Sequence, residues 1–119
     1  MREVKRMSCI FCQIANKEVP SNIVYETDNF TAFRDLNPQA PVHILIVPKV
    51  HITSMNDINS SNSSIIAKIF EAINKIAEQE GIKENGYRVV SNCGEDGCQS
   101  VQHLHFHLVG GKKLSEILS

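Results

Sequence analysis

The sequence lacks an excess of charge of either sign, because 12 Lys and Arg residues are balanced by 13 Asp and Glu residues. A net charge of −1 creates no basic field for a polyanion, so we expect no nucleic-acid partner. Long apolar runs are also lacking. The longest strongly apolar stretch runs from Val42 to Val47, which is far too short to cross a bilayer, and no membrane association is expected.

The N-terminal stretch MREVKRMS carries charge but no apolar segment, so it does not resemble a secretory signal. We therefore expect a cytoplasmic location, where the four cysteines would be thiols or metal ligands rather than disulfides. The sequence has no internal repeat and no linker, and 119 residues are enough for one domain with its own core. We expect a frayed leader over residues 1–7 and a single domain over residues 8–119.

Hydrophobic periodicity and turn residues predict an α+β fold, in which a five-stranded antiparallel sheet carries one long helix on one face and a short N-terminal helix. Ser8 is the candidate N-cap of the short helix, and Gly81 is the candidate stop of the long helix. The predicted segments are a helix within 8–18, strands within 20–27, 30–35 and 42–49, a helix built on Ile65, Ile66, Ile69, Phe70, Ile73, Ile76 and Ala77, and strands within 86–92 and 103–109.

Three of the five histidines occupy alternate positions in the stretch HLHFHLVGG, which begins at His103. In a strand, alternate side chains share one face and lie roughly 7 Å apart, so His103, His105 and His107 should face the same way. The intervening Leu104, Phe106 and Leu108 should face the core. Three imidazoles on one face would repel one another when protonated, and this arrangement favours a functional surface over three unrelated surface histidines.

One function for this surface is metal binding. Cys9 and Cys12 offer two thiolates at a chelating spacing, and neutral imidazoles are good zinc ligands. The remaining cysteines, Cys93 and Cys98, are five positions apart, which is a poor spacing for a second pair. A four-cysteine site, a site of two cysteines with histidines from other strands, and a structural role for Cys9 and Cys12 as small apolar residues all stay open from spacing alone.

A second function is nucleophilic catalysis, in which an imidazole attacks phosphorus and forms a phospho-histidine. The loop GEDGCQS, residues 94–100, directly precedes the histidines, and its glycines allow turns that aim successive amides at an anion. The loop is neither a Walker motif nor a dinucleotide fingerprint. A connecting loop with two glycines is common, so its position beside the histidines is what makes it a candidate phosphate site.

The segment QSVQHLHFHLVGG resembles the His-φ-His-φ-His-φ-φ signature of the histidine triad superfamily, where φ is hydrophobic. The segments CIFCQIANKEVPSNIVYET, TAFRDLNPQAPVHILIVPKVH and GYRVVSNCGEDGCQS are similar, in order and spacing, to the histidine triad nucleotide-binding branch. The resemblance runs from Ser8 to Gly111. It implies a hydrolase that binds purine nucleoside monophosphates and cleaves phosphoramidates or related bonds through a nucleotidyl-histidine.

The resemblance implies a role for each catalytic position. His105 matches the nucleophile, and its second nitrogen would be held by a backbone carbonyl. His107 matches the position that contacts the phosphate and helps the leaving group to take a proton. His43 matches an orienting histidine beside the triad, although a satisfied core histidine would look the same. Ser100 completes the implied catalytic set at the phosphate.

The resemblance also implies a nucleotide site. Asp35 would accept hydrogen bonds from the ribose hydroxyls, with Leu36 beside the sugar or base. An apolar slot would enclose the purine, although core packing explains the same residues. The implied nucleotide-binding set is Ile10, Phe11, Ile14, Val19, Asp35, Leu36, Asn92, Cys98, Gln99, Ser100, His105 and His107.

Some relatives with the early Cys-x-x-Cys coordinate zinc, and the matching ligands here are Cys9, Cys12, His51 and His103. The resemblance therefore implies a closed structural zinc site and chemistry that needs no cofactor. Family members also form two-fold homodimers through the long helix and the penultimate strand, and the apolar surface of the predicted helix is compatible with this.

Cys98 stands where this branch usually has glycine, which could crowd the phosphate or strain a positive φ. Three functions follow from the sequence: a nucleoside phosphoramidase, a dinucleoside polyphosphate hydrolase of the same superfamily, and a nucleotide-binding regulatory module whose catalysis is vestigial.

Overall fold

The computed structural model describes residues 9–117, so the predicted leader and the candidate N-cap Ser8 lie outside the described residues. Two helices and five strands make up the described part, together with a 3₁₀ turn at Met55–Asp57. In chain order the elements are α1 (Ile10–Ala15), β1 (Ile23–Glu26), β2 (Phe30–Arg34), β3 (Val42–Pro48), α2 (Ser63–Gln79), β4 (Tyr87–Val90) and β5 (Phe106–Gly110).

The five strands form one sheet in the order β1-β2-β3-β5-β4, and every neighbouring pair is antiparallel. The α+β class, the strand number, the long helix and the short helix predicted from the sequence are all confirmed. Thr27 closes the β1–β2 hairpin, because its hydroxyl accepts hydrogen bonds from the N–H groups of Asn29 and Phe30 at 3.1 and 3.3 Å. No helix among residues 9–117 is long and apolar enough to cross a membrane.

The two faces of the sheet differ because side chains alternate along each strand. On one face, α2 packs its apolar stripe onto residues such as Ile44, Ile46 and Leu108, and forms the main core. On the other face, α1 packs Phe11 and Ile14 against Phe33, Leu45 and Val47. His43 and His107 belong to this second face, so the short helix and the functional histidines share one side of the sheet.

The long helix ends as the sequence predicts. Glu80 is its C-cap, and Gly81 follows with φ +75°, a left-handed conformation that glycine adopts without strain. A bidentate ion pair between Arg34 and Glu80, with N–O distances of 2.9 and 3.0 Å, ties this end of α2 to β2. Arg34 directly precedes Asp35, so this ion pair also holds the backbone next to Asp35.

The last strand is shorter than the predicted segment 103–109, because β5 begins at Phe106. The backbone groups before Phe106 make other hydrogen bonds than those of the sheet. The N–H of Leu104 donates to the carbonyl of Ile52, and the carbonyl of His103 accepts from the ring of His105. His103 and His105 therefore precede the ladder, and only His107 is a strand residue. The prediction that Leu104, Phe106 and Leu108 are buried is confirmed, since each is at most 2% exposed.

Candidate active site and metal centre

Two cysteines and two histidines from three separate segments meet at the N-terminus of α1. Cys9 is the N-cap of this helix, and its sulfur accepts from the N–H of Cys12. The Nδ1 atom of His103 lies 3.3 Å from the sulfur of Cys9 and 3.4 Å from that of Cys12. The Nδ1 atom of His51 lies 3.1 Å from the Cys12 sulfur. The four candidate ligand atoms all lie within 4.8 Å of one another.

The donor set fits a tetrahedral metal ion. Ideal zinc–sulfur and zinc–nitrogen bonds place sulfur and nitrogen ligands about 3.5 Å apart, close to the contacts seen here. The Nε2 atom of His103 donates to the carbonyl of Pro48 at 2.9 Å, which leaves Nδ1 directed at the sulfurs. Burial, with small contributions from His51 and His105 and against the opposing Pro48 bond, lowers the pKa of His103 to about 4. A neutral ring offers the lone pair that a metal needs.

The alternative of a four-cysteine site is not realised among the described residues. Cys93 and Cys98 belong to the loop before the histidine segment and are not part of the cluster. None of the four cysteines, all of which lie among the described residues, forms a disulfide.

His105 lies next to the metal cluster, because its ring bonds to the backbone of His103, one of the four cluster residues. Its Nδ1 atom donates to the carbonyl of His103 at 2.8 Å, so the proton of the neutral ring is on Nδ1 and the lone pair is on Nε2. Burial lowers the pKa of His105, against the hydrogen bond to His103 and the charge of Asp35, and keeps the ring neutral. The residue is 4% exposed, and its ring packs edge-to-face with that of Phe11, with 4.9 Å between ring centres.

The Nε2 atom of His105 has no hydrogen-bond partner in the part of the chain that the structure describes. This nitrogen is not one of the fully buried polar atoms that lack a partner among the described residues, so it keeps some contact with solvent. The ring is therefore packed on its sides and open at the nitrogen that carries the lone pair.

His107 and His43 form a second pair of imidazoles beside His105. The ring centres of His105 and His107 are 5.1 Å apart, and Nε2 of His43 lies 2.9 Å from Nδ1 of His107. Burial first, and then the neighbouring His105 and His43, lowers the pKa of His107 to about 4, while Asp35 opposes the shift. Asp35 Oδ2 lies 3.5 Å from Nε2 of His43.

An apolar cavity of about 200 Å³ opens between α1 and the end of β2. Five of the residues that the resemblance assigned to the nucleotide line it: Ile10, Phe11, Ile14, Asp35 and Leu36. Leu36 is 94% exposed and lies at the rim of the cavity, where no other described residue covers it. Val19 does not line the cavity but packs on the cluster beneath it.

Sequence reasoning missed half of this cavity. The additional lining residues are Pro20, Ser21, Asn22, Phe33, Arg34 and Leu45. Strand alternation could have identified two of them, because Phe33 and Leu45 lie on the same face as His43. The turn residues carry no such signal.

The loop of residues 93–100 is held together by Gln99. Its Oε1 accepts from the N–H of Gly94 at 2.9 Å, and its Nε2 donates to the carbonyls of Thr53 and Val101 at 2.8 and 2.9 Å. Its own N–H donates to the carbonyl of Gly94. Both amides of Gln99 therefore hold the loop, and the expected phosphate contact through Gln99 stays a prediction.

The other loop residues are differently placed. Asn92 donates its Nδ2 to the carbonyl of Gly97 at 2.7 Å, and Cys98 is exposed with φ +61°. A side chain at Gly97 would meet the carbonyl of Cys93 at 2.4 Å, so glycine is required there, whereas Cys98 pays only backbone strain. Ser100 is exposed, and neither its hydroxyl nor its N–H has a protein partner within residues 9–117, so Ser100 offers two donors to an anion.

Comparisons with known proteins show which family and which solved structures the chain is similar to. A family model described as "Scavenger mRNA decapping enzyme C-term binding" matches residues 8–118. A purine nucleoside phosphoramidase from Escherichia coli is 46% identical over 110 residues, which cover 92% of each chain. A 14 kDa zinc-binding protein from Zea mays is 44% identical over 97% of this chain and 91% of its own length. The solved structure of a histidine triad protein from Clostridium difficile is 53% identical, covers 93% of this chain and 96% of its own, and superposes with a TM-score of 0.91.

Proposed function

Because this chain belongs to the histidine triad family and is a hydrolase, we propose that it cleaves purine nucleoside 5′-phosphoramidates through a nucleotidyl-histidine on His105. The observation that carries this proposal is the state of the His105 ring. A backbone carbonyl holds the proton on Nδ1, and the open Nε2 carries a lone pair. Such a fixed, neutral imidazole is the form that can attack phosphorus.

The proposed reaction has two steps. In the first step, Nε2 of His105 bonds to the α-phosphorus and the P–N bond to the leaving amine breaks. Nε2–H of the neutral His107 ring donates a hydrogen bond to the leaving nitrogen, which takes its proton from solvent. In the second step, water attacks the same phosphorus, the bond to His105 breaks, and the water's proton is released to solvent. A hydrogen bond placed where charge develops in the transition state is worth about 10²–10³-fold.

The cavity beside Phe11 is suited to the flat, apolar faces of a purine. Asp35, at its rim, accepts from the N–H of Asn37 with Oδ1, and its remaining lone pairs suit ribose hydroxyls. Ser100 supplies donors for the phosphate oxygens. Recognition would then depend on sugar and phosphate, with tolerance for the identity of the purine.

A substrate panel tests the proposal. We expect purified protein to release amine from an adenosine phosphoramidate much faster than it cleaves a diadenosine polyphosphate. Intact-protein mass spectrometry during turnover should detect a nucleotidyl adduct. Faster cleavage of the polyphosphate would assign the chain to the other hydrolase class, and nucleotide binding without turnover of either substrate would assign it to a regulatory module.

We propose zinc as the ion that Cys9, Cys12, His51 and His103 hold, with a structural role. Four protein ligands would close the tetrahedron and leave no position for a reactive water. When bound, the ion would link α1 to the end of β3 and to the histidine segment. The zinc-binding relative supports this assignment.

Cys12→Ser should remove the metal, because Cys12 is 1% exposed and contacts both histidines. We expect the zinc content to fall from about one per chain to near zero and the Tm to fall by about 5–10 °C. Metal analysis by mass spectrometry and calorimetry measure the two effects. Cys93→Ser is the matched control, since this thiol lies outside the cluster. Full zinc content in Cys12→Ser would contradict the ligand assignment.

We also propose a homodimer that joins α2 and the edge strand β4 of two copies. Phe70 on α2 and Val89 on β4 leave 50% and 37% of their surface exposed, and β4 ends the sheet. An edge strand beside exposed apolar groups is a surface that proteins usually cover.

Val89→Glu should turn this dimer into a monomer, because it places a charge in the centre of the proposed interface. Native mass spectrometry measures the change. Val50→Glu, at an exposed apolar position after β3, is the control that should keep the wild-type mass. A wild-type protein that is monomeric at micromolar concentration would contradict the proposal.

A further inference from the structure

A chain of hydrogen bonds begins at the backbone of Gln39 and ends at His107. The N–H of Gln39 lies 3.0 Å from Nδ1 of His43. An amide N–H can only donate, so Nδ1 of His43 must accept with a lone pair. His43, which is 6% exposed, therefore carries its proton on Nε2.

The next bond transmits this choice to His107. Nε2 of His43 is 2.9 Å from Nδ1 of His107 and 3.5 Å from Asp35 Oδ2, so the proton on His43 is directed chiefly at His107. Nδ1 of His107 must then accept. The proton of the neutral His107 ring is consequently on Nε2, the nitrogen opposite the His43 contact.

The two reactive histidines thus hold opposite tautomers. The carbonyl of His103 places the proton of His105 on Nδ1, whereas a backbone N–H places the proton of His107 on Nε2. We propose that Gln39, through its backbone N–H, is a positioning residue that keeps the proton of His107 on Nε2. This inference rests on the proposed function, in which that N–H donates a hydrogen bond to the leaving nitrogen.

The segment that carries Gln39 is itself held in place. The N–H of Asp35 donates to the carbonyl of His43 at 3.0 Å, and the N–H of Asn37 donates to Asp35 Oδ1 at 2.8 Å. Pro38 precedes Gln39, and Ala40, which follows it, is buried. The amide therefore has a defined direction although the side chain of Gln39 is exposed.

The same geometry argues against a second metal ion. Asp35, His43 and His107 offer ligand atoms within 4.8 Å of one another. A neutral His43 bound to a metal through Nε2 would carry its proton on Nδ1, where it would oppose the N–H of Gln39 at 3.0 Å. The hydrogen-bond chain satisfies all of these atoms without such a conflict.

Gln39→Pro tests the inference, because proline removes the N–H that starts the chain. Gln39→Ala is the reference, since it removes the same side chain and retains the N–H. We expect the rate of adduct formation with an alkylamine leaving group to be about 3- to 10-fold lower in the proline variant than in the alanine variant, as for the loss of one hydrogen bond. With an aryl phosphodiester of the nucleotide, whose leaving group needs no proton, the two variants should differ less than about twofold. Equal rates with both substrates, or an equal loss with both, would overturn the inference.

Nitrogen-15 NMR of the histidine rings gives an independent readout that requires no turnover. The wild-type protein should show the proton of His107 on Nε2 and that of His105 on Nδ1, and Gln39→Pro should shift His107 toward the Nδ1–H form. A wild-type His107 protonated on Nδ1 would overturn the inference even if the proline variant did not fold. If the tautomers are as stated but no nucleotide is hydrolysed, the proposed function fails and the positioning of His107 stands.

Discussion

His105→Ala should hydrolyse an adenosine phosphoramidate at least about 10³-fold more slowly than the wild-type protein. The substitution removes the atom that would bond to phosphorus, so no other group in the site can form the same intermediate. The nucleotidyl adduct should disappear with the activity. Stopped-assay kinetics and intact-protein mass spectrometry on the same samples measure both effects.

The control for this variant is binding. The cavity beside Phe11 and the rim residue Asp35 are not altered, so the affinity for the product nucleoside monophosphate, measured by calorimetry, should change little. Because His105 is 4% exposed, circular dichroism must show that the variant is folded. Residual turnover within about tenfold of the wild type, or an adduct that persists on another residue, would refute His105 as the nucleophile.

His107→Ala should show a loss that depends on the leaving group. With an alkylamine leaving group, the rate of adduct formation should fall by about 10²–10³-fold, because the charge that develops on the departing nitrogen loses the hydrogen bond from Nε2–H of His107. With an aryl leaving group of low pKa, the loss should be far smaller. Rapid-mixing experiments on a single turnover isolate this first step from the later attack of water.

A matched control is available on the same strand. Val109 also lies on the histidine face of β5 and pairs with His43 across the sheet, so Val109→Ala reports any general disturbance of the strand. We expect that variant to lose little activity and to show no dependence on the leaving group. An equal loss with both leaving groups in His107→Ala would assign His107 to phosphate binding rather than to the leaving nitrogen.

Strand alternation was the strongest signal in the sequence. It predicted the buried side chains of Leu104, Phe106 and Leu108 and placed the histidines on the opposite face, because successive side chains of an extended chain point to opposite sides. It did not predict that the ladder starts only at Phe106. The carbonyl of His103 accepts a hydrogen bond from the imidazole of His105 instead of from the backbone of a neighbouring strand. The hydrophobic pattern of the sequence does not indicate which of these bonds forms.

The metal cluster could be predicted only in part from the spacing of neighbouring residues. The pair Cys9 and Cys12 was recognisable as a chelating pair, but its partners lie 39 and 91 positions beyond Cys12. Spacing alone left a four-cysteine site open, and the resemblance selected His51 and His103. The structure brings these four together because the end of β3 and the start of the histidine segment lie beside α1.

Two residues of the site show what side-chain identity cannot convey. Gln99 was assigned to the phosphate, but its amide groups are used within the loop, which depends on the path of the neighbouring carbonyls. Gln39 was not singled out at all, because the group that matters is its backbone N–H, which every residue except proline has.

For this protein, the order of apolar and polar residues was sufficient to specify the α+β class, the buried face of the last strand and the cluster of candidate histidines. These features follow from periodicities of two and 3.6 residues, which are local. The tautomer of His107 and the hydrogen bonds of Gln99 were decided only by the tertiary structure, as was the lining of the cavity. The first two depend on backbone donors or acceptors brought close by distant segments, and backbone groups are the same at nearly every position of a sequence.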